Sequence, residues 1–295
     1  MKKILLVGKN GQVGWELQRT LATLGDVVAI DRQGMDLANP DSIRNTIRAI
    51  QPNLIVNAAA YTAVDKAESE PELAMAINGV APGIMAEEAK QLGATMVHYS
   101  TDYVFDGTKT SPYTEEDIPN PLSVYGKTKL AGEHAVQAAG IPYLIFRTSW
   151  VYGLRGRNFL LTILRLAKER DELRIVDDQI GAPTWSRMIA EATGQVLGQG
   201  FQPFVMRSGI YNLTAAGQTS WHGFTRVILE NVSGLIQPLP HLIPLATSEY
   251  PLPAPRPPYS TLSSIKLNQI FGVALPDWDA SLTLCMDKEN IKQCF

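Results

Sequence analysis

Short apolar runs alternate with longer helix-like segments through the first half of this chain, and this alternation limits its fold more than any other feature. The runs KILLVG, DVVAI, LIVNAA, TMVHYST and YLIFRTSW are rich in β-branched and other apolar residues, and helical patterns lie between most of them. Apolar strands joined by helices form βαβ units, whose parallel strands are covered by helices on both faces. The sequence therefore predicts an α/β protein with a doubly wound parallel sheet.

Composition and charge argue against several other classes of protein. The 26 basic and 29 acidic residues give a net charge of -3 and are spread along the chain, so no basic stripe indicates a nucleic-acid partner. No apolar run approaches the roughly 20 residues that cross a bilayer, and the run from Ile4 to Val7 is too short for a signal peptide. Cys285 and Cys294 lack zinc-ligand spacing, so we expect no disulfide framework, no zinc site and a cytoplasmic location.

A proline-rich segment runs from Gln237 to Ser260 with the sequence QPLPHLIPLATSEYPLPAPRPPYS. Its prolines disfavour a regular helix or a central strand. The spacing is compatible with a polyproline ligand for a recognition module. Within a globular chain we instead expect long structured loops over a pocket.

A glycine-rich turn follows the first predicted strand. Gly8, Gly11 and Gly14 are spaced three apart in GKNGQVG, and a helical segment follows them. Such a turn lets the backbone approach a pyrophosphate, while the helix N-terminus supplies N–H groups and the positive end of its dipole. We expect nucleotide binding here rather than a plain tight turn, with Gln12 and Val13 as further contacts.

This G-x-x-G-x-x-G turn resembles the extended branch of the short-chain dehydrogenase/reductase superfamily. The resemblance implies a Rossmann-like NAD(P)-binding domain, expected over residues 1–150. A smaller α/β domain for the substrate is expected over 151–295, with some segments returning to the first. Asp31 follows the second strand, where a carboxylate accepts from a ribose 2′-hydroxyl and repels a 2′-phosphate. The neighbouring Arg32 can pair with that phosphate, so the choice between NADH and NADPH stays open.

The resemblance also implies further cofactor contacts. Asp36 and Leu37 match the superfamily positions beside the adenine ring, and NAAAYTAVDKAE resembles the segment that lies against the cofactor. The candidates from these two stretches and from the TMVHYST strand are Asp36, Leu37, Ala59, Ala60, Thr62 and Tyr99. For Asp36 an ordinary loop position is the alternative.

Three residues have the pattern of a catalytic group. Thr101 ends a predicted strand, and Tyr125 and Lys129 follow about 24 residues later at i and i+4 of a helix predicted to begin near Ser123. An ammonium beside a phenol favours the phenolate and lowers its pKa toward neutrality. The alternative is a capped helix with a solvated lysine. In this order the three match the Ser/Thr–Tyr–Lys triad of the superfamily, which also implies that Tyr125 and Lys129 contact the cofactor.

Several longer blocks resemble the dTDP-4-dehydrorhamnose reductase family in particular. They include NAAAYTAVDKAE, HYSTDYVFDG, VYGKTKLAGE, FRTSWVYG and RPPYSTL. The resemblance implies hydride transfer from NADPH or NADH to C4 of dTDP-4-dehydro-β-L-rhamnose, with Tyr125 as the acid. It also implies substrate contacts at Val64, Thr101, Asp102, Tyr125 and Trp150. Related 4,6-dehydratases carry Asp-Glu after the threonine, whereas Asp102 and Tyr103 follow Thr101 here.

Two alternative functions stay open at this point. One is a non-catalytic NADP-binding subunit resembling the regulatory subunit of methionine adenosyltransferase. The other is a reductase or epimerase of a different nucleotide-activated ketosugar. Some relatives dimerise through magnesium held by acidic residues, and Glu16 and Glu191 fit two of the positions. Lys288 falls near the third, so we predict no metal and leave a homodimer open.

Overall fold

The computed structural model describes residues 2–200, 206–287 and 291. Lys288 lies outside this part of the chain. The strands are β1 Lys3–Val7, β2 Asp26–Ile30, β3 Leu54–Asn57, β4 Thr95–Thr101, β5 Tyr143–Thr148, β6 Val151–Tyr152, β7 Glu172–Val176, β8 Ile180–Gly181, β9 Thr184–Trp185, β10 Gly209–Asn212, β11 Thr219–Ser220 and β12 His241–Leu245. The α-helices are α1 Gln12–Thr20, α2 Pro40–Ile50, α3 Val64–Ala67, α4 Pro71–Met75, α5 Ala81–Leu92, α6 Val124–Ala138, α7 Phe159–Glu169, α8 Ser186–Gly198, α9 Trp221–Val232, α10 Ile265–Phe271 and α11 Trp278–Cys285.

The main sheet has six parallel strands in the order β10-β5-β4-β3-β1-β2. The chain moves outward from β1 to β2 and then returns to the other side of β1 for β3, so the strand order reverses at β1. Ligands of open α/β sheets bind at the carboxyl ends of the strands beside such a reversal. The prediction of a doubly wound parallel sheet is confirmed.

The two faces of this sheet pack into two separate apolar cores. Alternate residues of a strand point to opposite faces, so Leu6 packs with α1 and α8, whereas Leu5 packs with α2 and α5. All five apolar runs predicted as strands form β1 to β5. Their burial on both faces explains why they lack the polar alternation of half-exposed strands.

One predicted helix is interrupted. The stretch LAMAINGVAPGIMAEEAKQLG forms the end of α4, then a π-helical segment, Ala76–Val80, and then α5. Asn78 lies in the π-helical segment, and its side chain bonds both the N–H and the carbonyl of Tyr61 at 2.8 and 3.0 Å. The extra residue in the turn thus turns a buried amide toward the loop after β3.

A third apolar core lies among the elements of the second half of the chain. Helices α7, α9 and α11 pack there with β7, and its largest members include Tyr152, Trp185 and Phe224. β10 joins the main sheet, although it follows residue 150 by many positions. The division into 1–150 and 151–295, with segments returning to the first domain, stays a prediction.

The proline-rich segment is partly regular. Residues His241–Leu245 form β12, which pairs in parallel with β7 in a two-stranded sheet, so the expectation of loops alone is wrong here. Pro244 fits because each of two paired strands has an edge on which no N–H donor is needed. Within the described residues, no helix combines the length and apolarity needed to cross a membrane.

Candidate active site

The glycine turn between β1 and α1 packs too closely for side chains. Gly8 has a φ of +91°, and a Cβ there would lie 2.8 Å from the backbone nitrogen of Ala59. A Cβ on Gly14 would lie 2.0 Å from the carbonyl oxygen of Gly8. Gly11 is the N-cap of α1 and brings no capping side chain, so the first-turn N–H groups of this helix are available to an anion.

A cavity of about 240 Å³ opens beside this turn. Seven predicted cofactor residues line it, namely Gly8, Asp31, Arg32, Asp36, Leu37, Ala59 and Ala60. The sequence analysis missed four others, namely Val7, Met35, Tyr61 and Ile77. Val7, Met35 and Tyr61 are each next in sequence to a predicted residue, and this proximity could have identified them. Ile77 is brought in by the π-helical segment, which the sequence did not indicate.

Asp31 lies at the mouth of the cavity as an ionised group. Lys9 Nζ is 3.3 Å from its Oδ2, and Asn10 donates to the same oxygen at 3.0 Å. The bond from Lys9, reinforced by backbone N–H donors, lowers the pKa of Asp31. The Arg32 side chain is 80% exposed, and its Nε is 3.8 Å from Asp36. One cation, Lys9, therefore pairs with Asp31 in space, and a second, Arg32, follows it in sequence.

Besides Gly11, Tyr125 and Lys129, four other cofactor candidates lie outside this cavity. Gln12 donates to the Val151 carbonyl at 3.2 Å and accepts from Asn158 at 2.9 Å, so it joins the glycine turn to the start of α7. Val13 packs against the apolar core, and Thr62 is exposed. The Tyr99 side chain points into the core, where its hydroxyl bonds Thr193 at 2.7 Å. Only its backbone faces the catalytic residues.

Helix α6 begins where the sequence predicts. Ser123 is its N-cap, and its hydroxyl accepts from the Gly126 N–H at 3.1 Å. A Cβ on Gly126 would lie 2.2 Å from the Tyr103 carbonyl oxygen, so the first turn of α6 rests directly on the turn that follows β4. This contact holds Tyr125 beside Thr101, the last residue of β4.

Burial determines the acidity of Tyr125. It raises the pKa of the phenol to about 12, the nearby Thr101 hydroxyl opposes this, and the Asp102 carboxyl adds to it. The direction is opposite to the expectation that Lys129 lowers this pKa, and that expectation is wrong for the chain by itself. The phenol is therefore protonated throughout the neutral range and can act as a proton donor.

Lys129 lies on the face of α6 that packs against the main sheet. Its Nζ donates to the Tyr99 carbonyl at 2.6 Å, and the residue is 2% exposed. Burial lowers the pKa of Lys129 to about 8, with Glu133 acting in the opposite direction. Lys127 is exposed on the other side of the helix, as its spacing predicts.

A buried ion pair supports α6 from below. Both carboxylate oxygens of Glu133 accept from Arg147 of β5, at 3.0 and 2.6 Å, and Ser100 donates to the same carboxylate at 2.5 Å. The sequence analysis assigned no role to these three residues. Each lies in a block that resembles the family: Ser100 in HYSTDYVFDG, Glu133 in VYGKTKLAGE and Arg147 in FRTSWVYG.

Asp102 and Trp150 occupy unusual environments. Thr101 donates to Asp102 Oδ1 at 2.9 Å, while Oδ2 is buried with no hydrogen-bond partner among the described residues. Burial raises the pKa of Asp102 to about 6, although Ser260 and Thr101 oppose the shift. Trp150 has a φ of 44° and stacks on Trp221 with ring centroids 3.5 Å apart. A bulky residue in the left-handed region is strained, and such strain concentrates at functional sites.

The C-terminal RPPYSTL block approaches the same region. Arg256 makes a bidentate ion pair with Asp65 of α3, at 2.9 and 2.8 Å, directly after the predicted substrate residue Val64. Ser260 from this block lies against Asp102. The sequence analysis quoted the block but assigned no role to these residues. No group of three or more metal-ligating side chains occurs in the part of the chain that is described.

These features define a class. A parallel sheet with a glycine turn at its point of reversal, and a threonine, tyrosine and lysine at the same edge, are typical of nicotinamide-dependent enzymes of the extended short-chain dehydrogenase/reductase superfamily. Structures at low identity show the same fold. The UDP-glucose 4-epimerase of Thermus thermophilus aligns with a TM-score of 0.82 at 18% identity, covering 98% of this chain and 99% of that one.

Closer relatives identify the family. Residues 1–291 match the family described as RmlD substrate binding domain. A dTDP-4-dehydrorhamnose reductase from Burkholderia thailandensis is 49% identical over 96% of this chain and 98% of its own. The structure of a Clostridium acetobutylicum dTDP-4-dehydrorhamnose reductase has a TM-score of 0.90 at 39% identity, covering 97% and 98% of the two chains. A Bacillus anthracis relative, solved in complex with NADP, has a TM-score of 0.89 at 33% identity over 96% and 98%. The chain belongs to the dTDP-4-dehydrorhamnose reductase family, and that prediction is confirmed.

Proposed function

We propose that this protein reduces the C4 keto group of dTDP-4-dehydro-β-L-rhamnose to give dTDP-L-rhamnose, with NADPH or NADH as the reductant. Family membership over nearly the whole chain supports the reaction. The observation that carries the proposal is the placement of Thr101, Tyr125 and Lys129 together at the carboxyl edge of β4, beside the glycine turn.

The nucleotide-binding half fits a nicotinamide dinucleotide. Gly8 and Gly14 leave room for a pyrophosphate against the backbone, and a side chain at either would fill that room. Ala59, Ala60 and Leu37 line the cavity where an adenosine would lie, and Asp31 is ionised at its mouth. The bound cofactor supplies the hydride that adds to C4.

The catalytic residues complete the reduction. Tyr125 donates its phenolic proton to O4 as the C=O bond becomes an alkoxide, so that the product is an alcohol and the phenolate regains a proton from solvent. The Thr101 hydroxyl donates to the same oxygen and stabilises its charge. Lys129 binds the nicotinamide ribose hydroxyls. The buried Oδ2 of Asp102, which lacks a partner among the described residues, is available to accept from a sugar hydroxyl.

Kinetics with the purified protein test this proposal. Oxidation of NADPH and of NADH is followed by absorbance with the dTDP-4-ketosugar, and NMR identifies the stereochemistry at C4 of the product. We expect turnover with at least one cofactor. Cofactor binding without any oxidation would instead indicate a non-catalytic subunit, and the C4 epimer as product would refute the substrate assignment.

Two finer features also remain proposals. We propose a cytoplasmic location, because the two cysteines indicate no disulfide framework of the kind found in oxidising compartments. A homodimer is compatible with the family, and sedimentation at several protein concentrations with and without magnesium tests it. Glu16 and Glu191 are the acidic residues that such a test addresses by substitution.

A further inference from the structure

A chain of buried hydrogen bonds connects the cofactor-binding loop to Lys129. The Ala59 N–H donates to Asn57 Oδ1 at 3.2 Å, and Asn57 Nδ2 lies 3.1 Å from His98 Nδ1. On the other side of the ring, His98 Nε2 lies 3.4 Å from Lys129 Nζ. Asn57 and His98 are fully buried and Lys129 is 2% exposed, so water does not satisfy these groups from outside.

This arrangement determines which ring nitrogen of His98 carries the proton. The oxygen of Asn57 is engaged by a backbone N–H, so its NH₂ group faces the ring and must donate to Nδ1. Burial holds the pKa of His98 well below its usual range, so the ring is neutral. A neutral imidazole that accepts at Nδ1 carries its proton on Nε2.

The Nε2–H group then points at Lys129 Nζ. An ammonium has three donors and no acceptor. At this position one of its N–H groups would face the Nε2–H of His98, and neither donor would have an acceptor. A neutral amine accepts from His98 through its lone pair and still donates to the Tyr99 carbonyl, whose oxygen is 2.6 Å away. Both contacts are satisfied only by the amine.

The surrounding charges do not reverse this preference. Glu133, one turn further along α6, is paired with Arg147 of β5 through both of its oxygens. Tyr125, one turn earlier, is uncharged because burial raises its pKa to about 12. His98 of β4 is neutral. Burial itself disfavours an ammonium and lowers the pKa of Lys129 to about 8.

We propose that the His98 Nε2–H favours the neutral amine form of Lys129 before the cofactor binds, so that in mildly alkaline solution Lys129 takes up a proton when the nicotinamide ribose arrives. The ribose hydroxyl oxygens accept hydrogen bonds, which favours the ammonium. His98 and Asn57 are thus positioning residues that set the protonation of Lys129. This inference rests on the proposed binding of a nicotinamide cofactor to the site.

The coupling between cofactor binding and protonation of Lys129 predicts the direction and the size of the proton uptake. If the pKa of Lys129 is about 8 before binding and returns to the ordinary lysine value of about 10.4 afterwards, the protein takes up about 0.9 proton on binding at pH 9. Cofactor affinity then weakens as pH rises between these two values, by up to about tenfold per pH unit. At pH 9 the 2′-phosphate of NADPH and Asp102 are already ionised, so neither contributes.

Calorimetry tests the inference without turnover. NADPH is titrated into the protein at pH 9 in two buffers of different ionisation enthalpy, with no sugar present. We expect an uptake of about 0.9 proton for the unmodified protein and almost none for Lys129→Met. The control Lys127→Met, an exposed position on the same helix, should keep the unmodified value.

Asn57→Asp reverses the tautomer with little change of shape. A carboxylate accepts on both oxygens, so His98 must place its proton on Nδ1 and offer Nε2 to the ammonium. Proton uptake at pH 9 should fall well below that of the unmodified protein. Nitrogen-15 NMR of the imidazole reads the tautomer directly, and assignment is simple because the chain has four histidines.

The outcomes separate this inference from the proposed function. NADPH binding with no proton uptake at pH 9, or a His98 proton on Nδ1 in the unmodified protein, overturns the inference and leaves the reductase proposal intact. If neither NADPH nor NADH binds, the proposed function is overturned instead. If Asn57→Asp does not fold, the NMR measurement on the unmodified protein still decides.

Discussion

At the residue scale, the chemistry of Tyr125 follows from its burial as much as from its motif. The i and i+4 spacing predicts that Tyr125 and Lys129 share a face of α6, on which Lys129 is buried and Tyr125 is partly buried. The spacing does not reveal what lies beneath that face. His98, Glu133 and Arg147 come from three different elements, so the direction of each pKa shift could not be read from the motif.

Removing the phenol tests the role of Tyr125. Tyr125→Phe deletes a proton donor and little surface, so kcat should fall by about 10²–10⁴-fold while NADPH binding stays near that of the unmodified protein. Steady-state kinetics and a separate binding titration measure the two effects. A variant that keeps full turnover would show that another group donates the proton.

Arg32 is expected to contribute to the binding of NADPH but not of NADH. Its guanidinium is 80% exposed beside Asp31, whose charge is already paired with Lys9. Arg32→Ala should therefore raise the KM for NADPH by about 3–10-fold, the size of an exposed charge pair of ~1 kcal/mol. The KM for NADH is the internal control and should change little. Equal changes for both cofactors would show that Arg32 does not contact a 2′-phosphate.

At the scale of an element, α6 shows which parts of a helix the sequence specifies. Ser123 is the N-cap of the helix, and this start could be predicted from the local sequence. The need for glycine at position 126 could not be predicted, because it arises from a close contact with the Tyr103 carbonyl that forms only when the chain folds. The π-helical segment Ala76–Val80 was likewise hidden, since its composition is that of an ordinary helix and Asn78 gains its partners from other elements.

The contact of Gly126 gives a prediction for the whole element. In Gly126→Ala the new methyl would lie 2.2 Å from a backbone oxygen that cannot turn away, so α6 must shift and carry Tyr125 with it. We expect a loss of about 1–3 kcal/mol in the free energy of unfolding and a lower kcat. Denaturant unfolding and kinetics measure these.

Gly198→Ala is the matched control for that substitution. Gly198 is also helical, but the nearest atom to its added Cβ is a leucine methyl 3.8 Å away. Alanine favours a helix over glycine, so this variant should be as stable as the unmodified protein or up to ~1 kcal/mol more stable. If Gly126→Ala behaves in the same way, α6 is not held by that contact.

At the scale of the whole molecule, the sequence predicts the strands that recur as apolar runs, but it does not predict contacts between residues far apart in the chain. The parallel sheet follows from five apolar runs with helices between most of them, and all five form strands. The entry of β10 beside β5 has no such signal, because Gly209–Asn212 is short and stands apart from that series. The same limit applies to Arg256, which meets Asp65 across 191 positions of the chain.

This distant ion pair is expected to act on substrate binding. Arg256 lies in the proline-rich segment, 16% exposed, and fixes that segment on α3, where Val64 is the predicted substrate contact. Asp65→Asn and Arg256→Gln should each raise the KM for the nucleotide sugar several-fold and leave NADPH binding unchanged. Since both single variants break the same ion pair, the double variant should be no worse than the poorer single variant, giving a coupling free energy of about 1 kcal/mol.

This coupling should also depend on pH. Because Arg256 lowers the pKa of Asp65, the coupling should persist above the ordinary aspartate pKa and disappear as pH falls through the lowered pKa. The exposed pair Arg226 and Glu230 is the control, and Arg226→Gln should not change the KM. Additive effects in the Asp65 and Arg256 cycle would show that the two residues act separately, and the segment would then be held by its other contacts.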